Sequence, residues 1–174
     1  MRNSQVLTRI ANLNNNSLAV IRIPKPCVLH SEMKRVLVLS RSLDHGSVGT
    51  LLRTCAAFFD SVCFTNDKID PFHPKVVRAS QGALWSMPYC FISKSQLTDF
   101  GLKHKFATLS LVDSVPSIVD CNYMKSHALG RGFFLIIGPD GIGVNGSQMF
   151  SGDLKKGPLA IRTSSAIFDI FSQL

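Results

Sequence analysis

Short apolar runs bounded by polar or turn-forming residues recur along the chain at 35–40, 61–65, 89–92, 106–111, 133–138 and 158–161, and each predicts a strand. Phe133 to Ile137 is apolar throughout, the pattern of a strand buried on both faces. Between these runs the spacing predicts helices over 48–59, 73–85 and 94–104, a short irregular one near 115–123, and a last one over 164–173. Alternating strands and helices imply an α/β fold: a mostly parallel sheet with helices on both faces. Asp70-Pro71 and His73-Pro74 set the entry to the second helix, since proline is tolerated in a first helical turn. No apolar run approaches the roughly 18 residues that would span a bilayer, so no membrane role is expected.

The most informative stretch is Asp44-His-Gly-Ser-Val-Gly-Thr-Leu-Leu-Arg-Thr-Cys-Ala-Ala-Phe-Phe59. It reads as a glycine-bearing turn at the carboxyl end of the first strand, where α/β proteins usually bind ligands. The turn leads into an amphipathic helix with Arg53 in its first turns. There the helix dipole and free N–H groups attract anions, so Arg53 suits a phosphate or a developing oxyanion. The competing reading is a surface arginine that caps or pairs. Ser47 suits an N-cap. A second glycine-rich loop, Gly138-Pro-Asp-Gly-Ile-Gly-Val-Asn-Gly146, follows the apolar fifth strand and lets the backbone approach a ligand closely.

Length bounds the chain to one domain: 174 residues, divided here into a basic extension over 1–32 and a folded unit over 33–174. With 45% hydrophobic residues a filled core is expected. The net charge of +8 suits a polyanionic partner or a merely soluble basic surface, and charge alone does not separate the two. Ten of the eleven acids are Asp, and Glu32 is the one Glu, which all but removes a glutamate general base. The five cysteines have no Cys-x-x-Cys spacing, so zinc and a disulfide framework are not expected; Cys55, Cys63 and Cys90 read as small core residues. No metal is expected. A reducing, intracellular setting fits this usage. Residues 1 to 31 hold Arg2, Arg9, Arg22 and Lys25 without an acid, which favours a mitochondrial or other organellar presequence. An RNA-contacting arm, or a cytoplasmic protein, is the alternative.

Two linked segments carry a family resemblance. The first motif, with Asp44, Gly49, Arg53 and Thr54, is followed by Asp70-Pro-Phe-His-Pro-Lys-Val-Val-Arg-Ala-Ser-Gln-Gly-Ala83. In this order and spacing they resemble the SpoU (TrmH-like) RNA 2′-O-ribose methyltransferases of the SPOUT superfamily, through Lys75, Arg78, Ala79, Ser80, Gly82 and Ala83. The resemblance runs from Met33 to the C-terminus and weakens after about Phe150. It implies a C-terminal deep trefoil knot, the alpha/beta knot, and a homodimer. It also implies a bent S-adenosylmethionine held by the backbone of loops near 109–112, 138–143 and 157–162. The cofactor-binding residues would be Thr108, Leu109, Gly138, Gly141, Leu159, Ala160 and Ile161. Arg53, Ser47 and Asp140 would be catalytic, and Arg53, Lys75, Arg78 and Ser80 would contact tRNA or rRNA.

The chain departs from the family pattern in several places. Ser47 replaces Asn, His45 replaces Pro, Asp140 replaces Glu, and Pro139 replaces a polar residue. The ending Gly157-Pro-Leu-Ala-Ile-Arg-Thr-Ser-Ser-Ala166 is more similar to the uridine-N3 branch of SPOUT enzymes. Three functions follow: ribose 2′-O methylation, base-nitrogen methylation of the uridine N3 type, or a degenerate knotted domain that binds RNA without catalysis. So compact a chain also suggests a partner protein that supplies RNA specificity.

Overall fold

The computed structural model describes residues 21–40, 43–65, 69–111, 132–137 and 148–150, together with Thr163, Ser164, Ile167 and Phe171. Six strands form one sheet: β1 (Arg35–Leu39), β2 (Ser61–Phe64), β3 (Tyr89–Phe91), β4 (Ala107–Leu111), β5 (Phe133–Ile137) and β6 (Gln148–Phe150). Their order is β3-β2-β1-β5-β4-β6, and every pairing is parallel. Four helices are described: α1 (His45–Cys55), α2 (Pro74–Ser80), α3 (Ala83–Ser86) and α4 (Lys94–His104).

The expected alternation holds for most elements, and its exceptions have local causes. The strand expected at 158–161 and the helix near 115–123 lie outside the described residues. The strand β6, instead, was not foreseen. The helix expected over 73–85 divides in two because Gln81 and Gly82 take left-handed backbone, φ 49° and 91°, which ends α2 and starts α3 afresh. Helix α4 follows its expected bounds because Ser93 and Gln96 close a reciprocal capping box at its start and Lys105 caps its end.

Strands β1, β2, β3 and β5 contribute to two cores, since side chains alternate between sheet faces. One face joins Leu37, Leu39, Val62, Phe64, Leu109, Phe133, Leu135 and Ile137 to Val48, Leu51, Leu52 and Cys55 of α1, Val76 of α2, Leu84 of α3, and Ile167. The other joins Val36, Val38, Cys63, Cys90, Phe134 and Ile136 to Leu97 of α4, Phe106, Leu29 and Met33. The packed unit begins before Met33. Residues 21–30 form no helix or strand but pack on the sheet, with the Cys27 amide donating to the Tyr89 carbonyl at 2.7 Å and the Tyr89 hydroxyl donating to the Pro24 carbonyl at 2.8 Å. Among the described residues no helix is long and apolar enough to cross a membrane.

Candidate functional site

The chain leaves β1 toward β2 on one side, whereas β4, β5 and β6 lie on the other. Adjacent strands β1 and β5 therefore mark the topological switch point, and the crevice beyond their carboxyl ends is where such sheets bind ligands. Ser40 closes that edge: its amide donates to the Ile137 carbonyl at 3.0 Å, while its fully buried hydroxyl has no hydrogen-bond partner among the described residues. Thr163 also is fully buried, its hydroxyl likewise without a partner among the described residues. A buried hydroxyl without a partner costs about 1–3 kcal/mol, and among the described residues the hydroxyls of Ser61, Thr65 and Thr108 are in the same state. The sequence reading gave neither Ser40 nor Thr163 a role. Their only signal was position, at a strand's carboxyl end and two residues after Ile161.

From this edge α1 starts at once. Asp44 is its N-cap, accepting from the Ser47 amide at 3.0 Å and from the Ser47 hydroxyl. The Ser47 hydroxyl and then the Ser47 amide hold the Asp44 carboxyl below its ordinary range. Ser47 is thus the third residue of the helix, not its cap.

The observed bounds correct the position of Arg53. The expected helix ran over 48–59, whereas α1 is capped by Asp44, takes in Gly46, and ends at Cys55, which leaves Arg53 in its last turn. The dipole at that end favours a cation by its negative pole, so anion attraction at a helix N-terminus does not explain this arginine. Arg53 is exposed, and among the described residues its guanidinium has no ion pair. Ser47 and Arg53 are six residues apart, about 9 Å along the axis.

Gly49 sets how closely α2 approaches. A Cβ built there would lie 2.6 Å from both the Ala79 Cβ and the Val76 carbonyl oxygen. The contact brings Lys75 and Arg78, both exposed on α2, beside the helix that carries Arg53. Ser80 is buried, and its hydroxyl donates to the Val77 carbonyl at 3.1 Å. His45 and His73, at the starts of α1 and α2, stack with centroids 3.8 Å apart and planes at 19°. His73 caps α2, its Nδ1 accepting from the Lys75 amide at 3.2 Å.

Thr108 and Leu109 lie inside β4, which continues to Leu111. They pair with Phe134 and Leu135 and face opposite sides of the sheet, so one surface cannot use both side chains. Gly138, Asp140, Gly141, Leu159, Ala160 and Ile161 lie outside the described residues. The terminal segment returns to α1: the Ser164 hydroxyl lies 3.5 Å from the Thr54 hydroxyl, and Phe171 packs on Phe58, Phe59 and Phe133. Among the described residues no group of acidic, histidine or cysteine side chains could hold a metal ion.

No family model matches the sequence. An uncharacterized tRNA/rRNA methyltransferase of Synechocystis is 40% identical over 84 residues, covering 46% of this chain and 29% of the relative. This chain therefore spans under a third of that protein. The SpoU methyltransferase AviRb of Streptomyces viridochromogenes, solved with AdoMet, superposes with a TM-score of 0.61 at 16% identity, over 84% of this chain and 59% of that one. A crystal structure of an RNA 2′-O ribose methyltransferase superposes with a TM-score of 0.64 at 15% identity, over 98% of this chain and 70% of that one.

Proposed function

We propose that this chain, which resembles the SpoU (TrmH-like) RNA methyltransferases in sequence and shares their fold, is an S-adenosylmethionine-dependent RNA methyltransferase acting on a ribose 2′-hydroxyl of tRNA or rRNA. The observation that carries this reading is Arg53, exposed and without an ion pair among the described residues, on the helix that leaves the β1–β5 switch point.

The residues present fit the cofactor in kind. The Ser40 hydroxyl, buried and without a partner among the described residues, is suited to a polar ligand at that edge, and the glycine-rich segment 138–146 follows β5 directly. When bound, S-adenosylmethionine supplies a methyl group on a sulfonium. The chain must then hold a ribose hydroxyl in line with that methyl and stabilise the negative charge growing on its oxygen. Arg53 serves the second need: its guanidinium stays protonated, so it stabilises an alkoxide or grips the adjacent phosphate without acting as the base. Lys75 and Arg78 neutralise backbone phosphates alongside. Correct positioning contributes as much as charge, on the order of 7–11 kcal/mol in favourable intramolecular cases.

The family's deep trefoil knot and homodimer form part of the same proposal, with the last helix threaded through an earlier loop and RNA lying across the subunit seam. The contacts of Ser164, Ile167 and Phe171 with α1 and the core support a terminal helix seated beside the site. A partner protein that supplies RNA specificity, and an organellar destination directed by the basic residues 1–32, complete the reading.

The test compares modified nucleosides in RNA from cells with and without the protein, by mass spectrometry, and repeats the comparison with Arg53→Ala. The expected result is loss of one 2′-O-methylated nucleoside in both, with the variant's cofactor affinity largely kept. An Arg53→Ala protein that restores full methylation overturns the role assigned here. Alkaline hydrolysis separates ribose from base methylation, because a 2′-O-methyl blocks cleavage at the adjacent phosphodiester.

One observation favours a second reading, a knotted domain that binds RNA without catalysis. The Ser47 hydroxyl, at the position of the family's asparagine, is already committed to Asp44. Calorimetry with S-adenosylmethionine decides between them: absence of binding at millimolar cofactor selects the non-catalytic protein.

A further inference from the structure

Three of the five cysteines gather on the sheet face opposite α1, away from the site described above. Cys63 of β2 and Cys90 of β3 are paired in register, both are buried, and their sulfurs lie 2.9 Å apart as free thiols. Neighbouring strands are spaced by about 4.8 Å, within the Cα separation of roughly 4.4–6.8 Å that a disulfide spans. The pair is also reachable. A cavity of about 260 Å³ is lined by Cys90 together with Cys27, Val28, Leu29, Phe91 and Phe100, and Cys63 sits behind it without exposure.

We propose that Cys90 and Cys63 form a peroxide-reactive dithiol, with Cys90 the attacking sulfur at the cavity wall and Cys63 the resolving sulfur behind it. The Cys90 thiolate attacks one oxygen of hydrogen peroxide. The O–O bond breaks, the departing hydroxide takes a proton and leaves as water, and Cys90 becomes a sulfenic acid. Cys63 then attacks the Cys90 sulfur, the S–S bond forms, the S–O bond breaks, and hydroxide leaves as a second water with the proton from Cys63. Two thiols are oxidised and one peroxide is reduced. The hydrogen bond between the two sulfurs lowers the pKa of Cys90, the direction an attacking thiol needs, and raises that of Cys63. Cys27, raised chiefly by burial, and Cys55, raised by burial on the opposite face, are the less reactive thiols.

The experiment treats the full chain with hydrogen peroxide, blocks remaining thiols with iodoacetamide, and maps linked tryptic peptides. Fragment spectra are needed because Cys55 and Cys63 share the peptide 54–68. The expected product is a Cys63–Cys90 disulfide, formed at least ten-fold faster in the folded protein than in urea and reversed by dithiothreitol. Cys27→Ser forms it as readily, Cys90→Ser does not form it, and Cys63→Ala leaves a Cys90 sulfenic acid that dimedone traps. Four results overturn the proposal: linkage of Cys90 mainly to Cys27 or Cys121, Cys90 untouched by peroxide, loss of the link in Cys27→Ser, or no dimedone adduct on Cys90 in Cys63→Ala. Should Cys63→Ala fail to fold, the identity of the wild-type linkage and the Cys27→Ser result still decide the matter.

Discussion

Asp44 carries more of the local architecture than its place in the motif suggests. It caps α1 and fixes the helix start at His45, while the end at Cys55 sets Arg53 in the last turn. Replacing an N-cap residue by alanine costs about 1 kcal/mol, so Asp44→Ala should lower the urea midpoint at pH 7. The Asp44 pKa is lowered in the folded state by Ser47, so its contribution is present above the unfolded carboxyl value of about 3.9 and is lost as pH falls through the folded value. The wild-type advantage over Asp44→Ala should therefore narrow between pH 5 and pH 3, and an equal gap at both ends would show that the charged cap contributes nothing. Arg53→Ala, at an exposed position, should by contrast stay within about 0.5 kcal/mol of wild type, so its loss of methylation would not be a folding defect. The helix that carries Arg53 was legible from its apolar spacing. The place of Arg53 on it was not, because α1 ends at Cys55 with no glycine or proline following to mark that end.

At the scale of elements, the α1–α2 contact joins the arginine-bearing helix to the lysine-bearing one, and Gly49 is its tightest point. Gly49→Ala should destabilise the fold by about 1–3 kcal/mol through overpacking, because its Cβ would meet the Val76 carbonyl oxygen at 2.6 Å. Gly101→Ala, whose Cβ would meet the edge of the Phe134 ring at 3.1 Å, should cost less. Chemical denaturation of the two variants checks the order, and equal losses would mean that α2 yields. Strands β1 to β5 and helix α4 were read closely from sequence because apolar runs and a capping box mark them locally. The division of 73–85 was not, since only Gln81 and Gly82 in left-handed backbone reveal it. Strand β6 was missed as well: its pairing with β4 is decided by tertiary contact, and the short run Gln148–Phe150 has no strong apolar pattern.

Across the whole molecule, positive charge from Arg53, Lys75 and Arg78 lies on two packed helices at one face, on a chain of net charge +8. RNA affinity should fall steeply with salt as counterions are released, and Lys75→Ala should lessen the slope of log K against log salt by about one phosphate contact, roughly 0.7–0.9. An unchanged slope would place the RNA elsewhere. The sheet order has a further effect on how the protein is made. Strand β5 lies between β1 and β4, though it follows both in the chain. While a ribosome is still synthesising residues before 133, the inner edge of β1 has no neighbour, and its amides and carbonyls remain open to any passing strand. Closure of the sheet therefore waits for residues 133–137 to emerge, and the nascent chain is most exposed to mispairing during that interval.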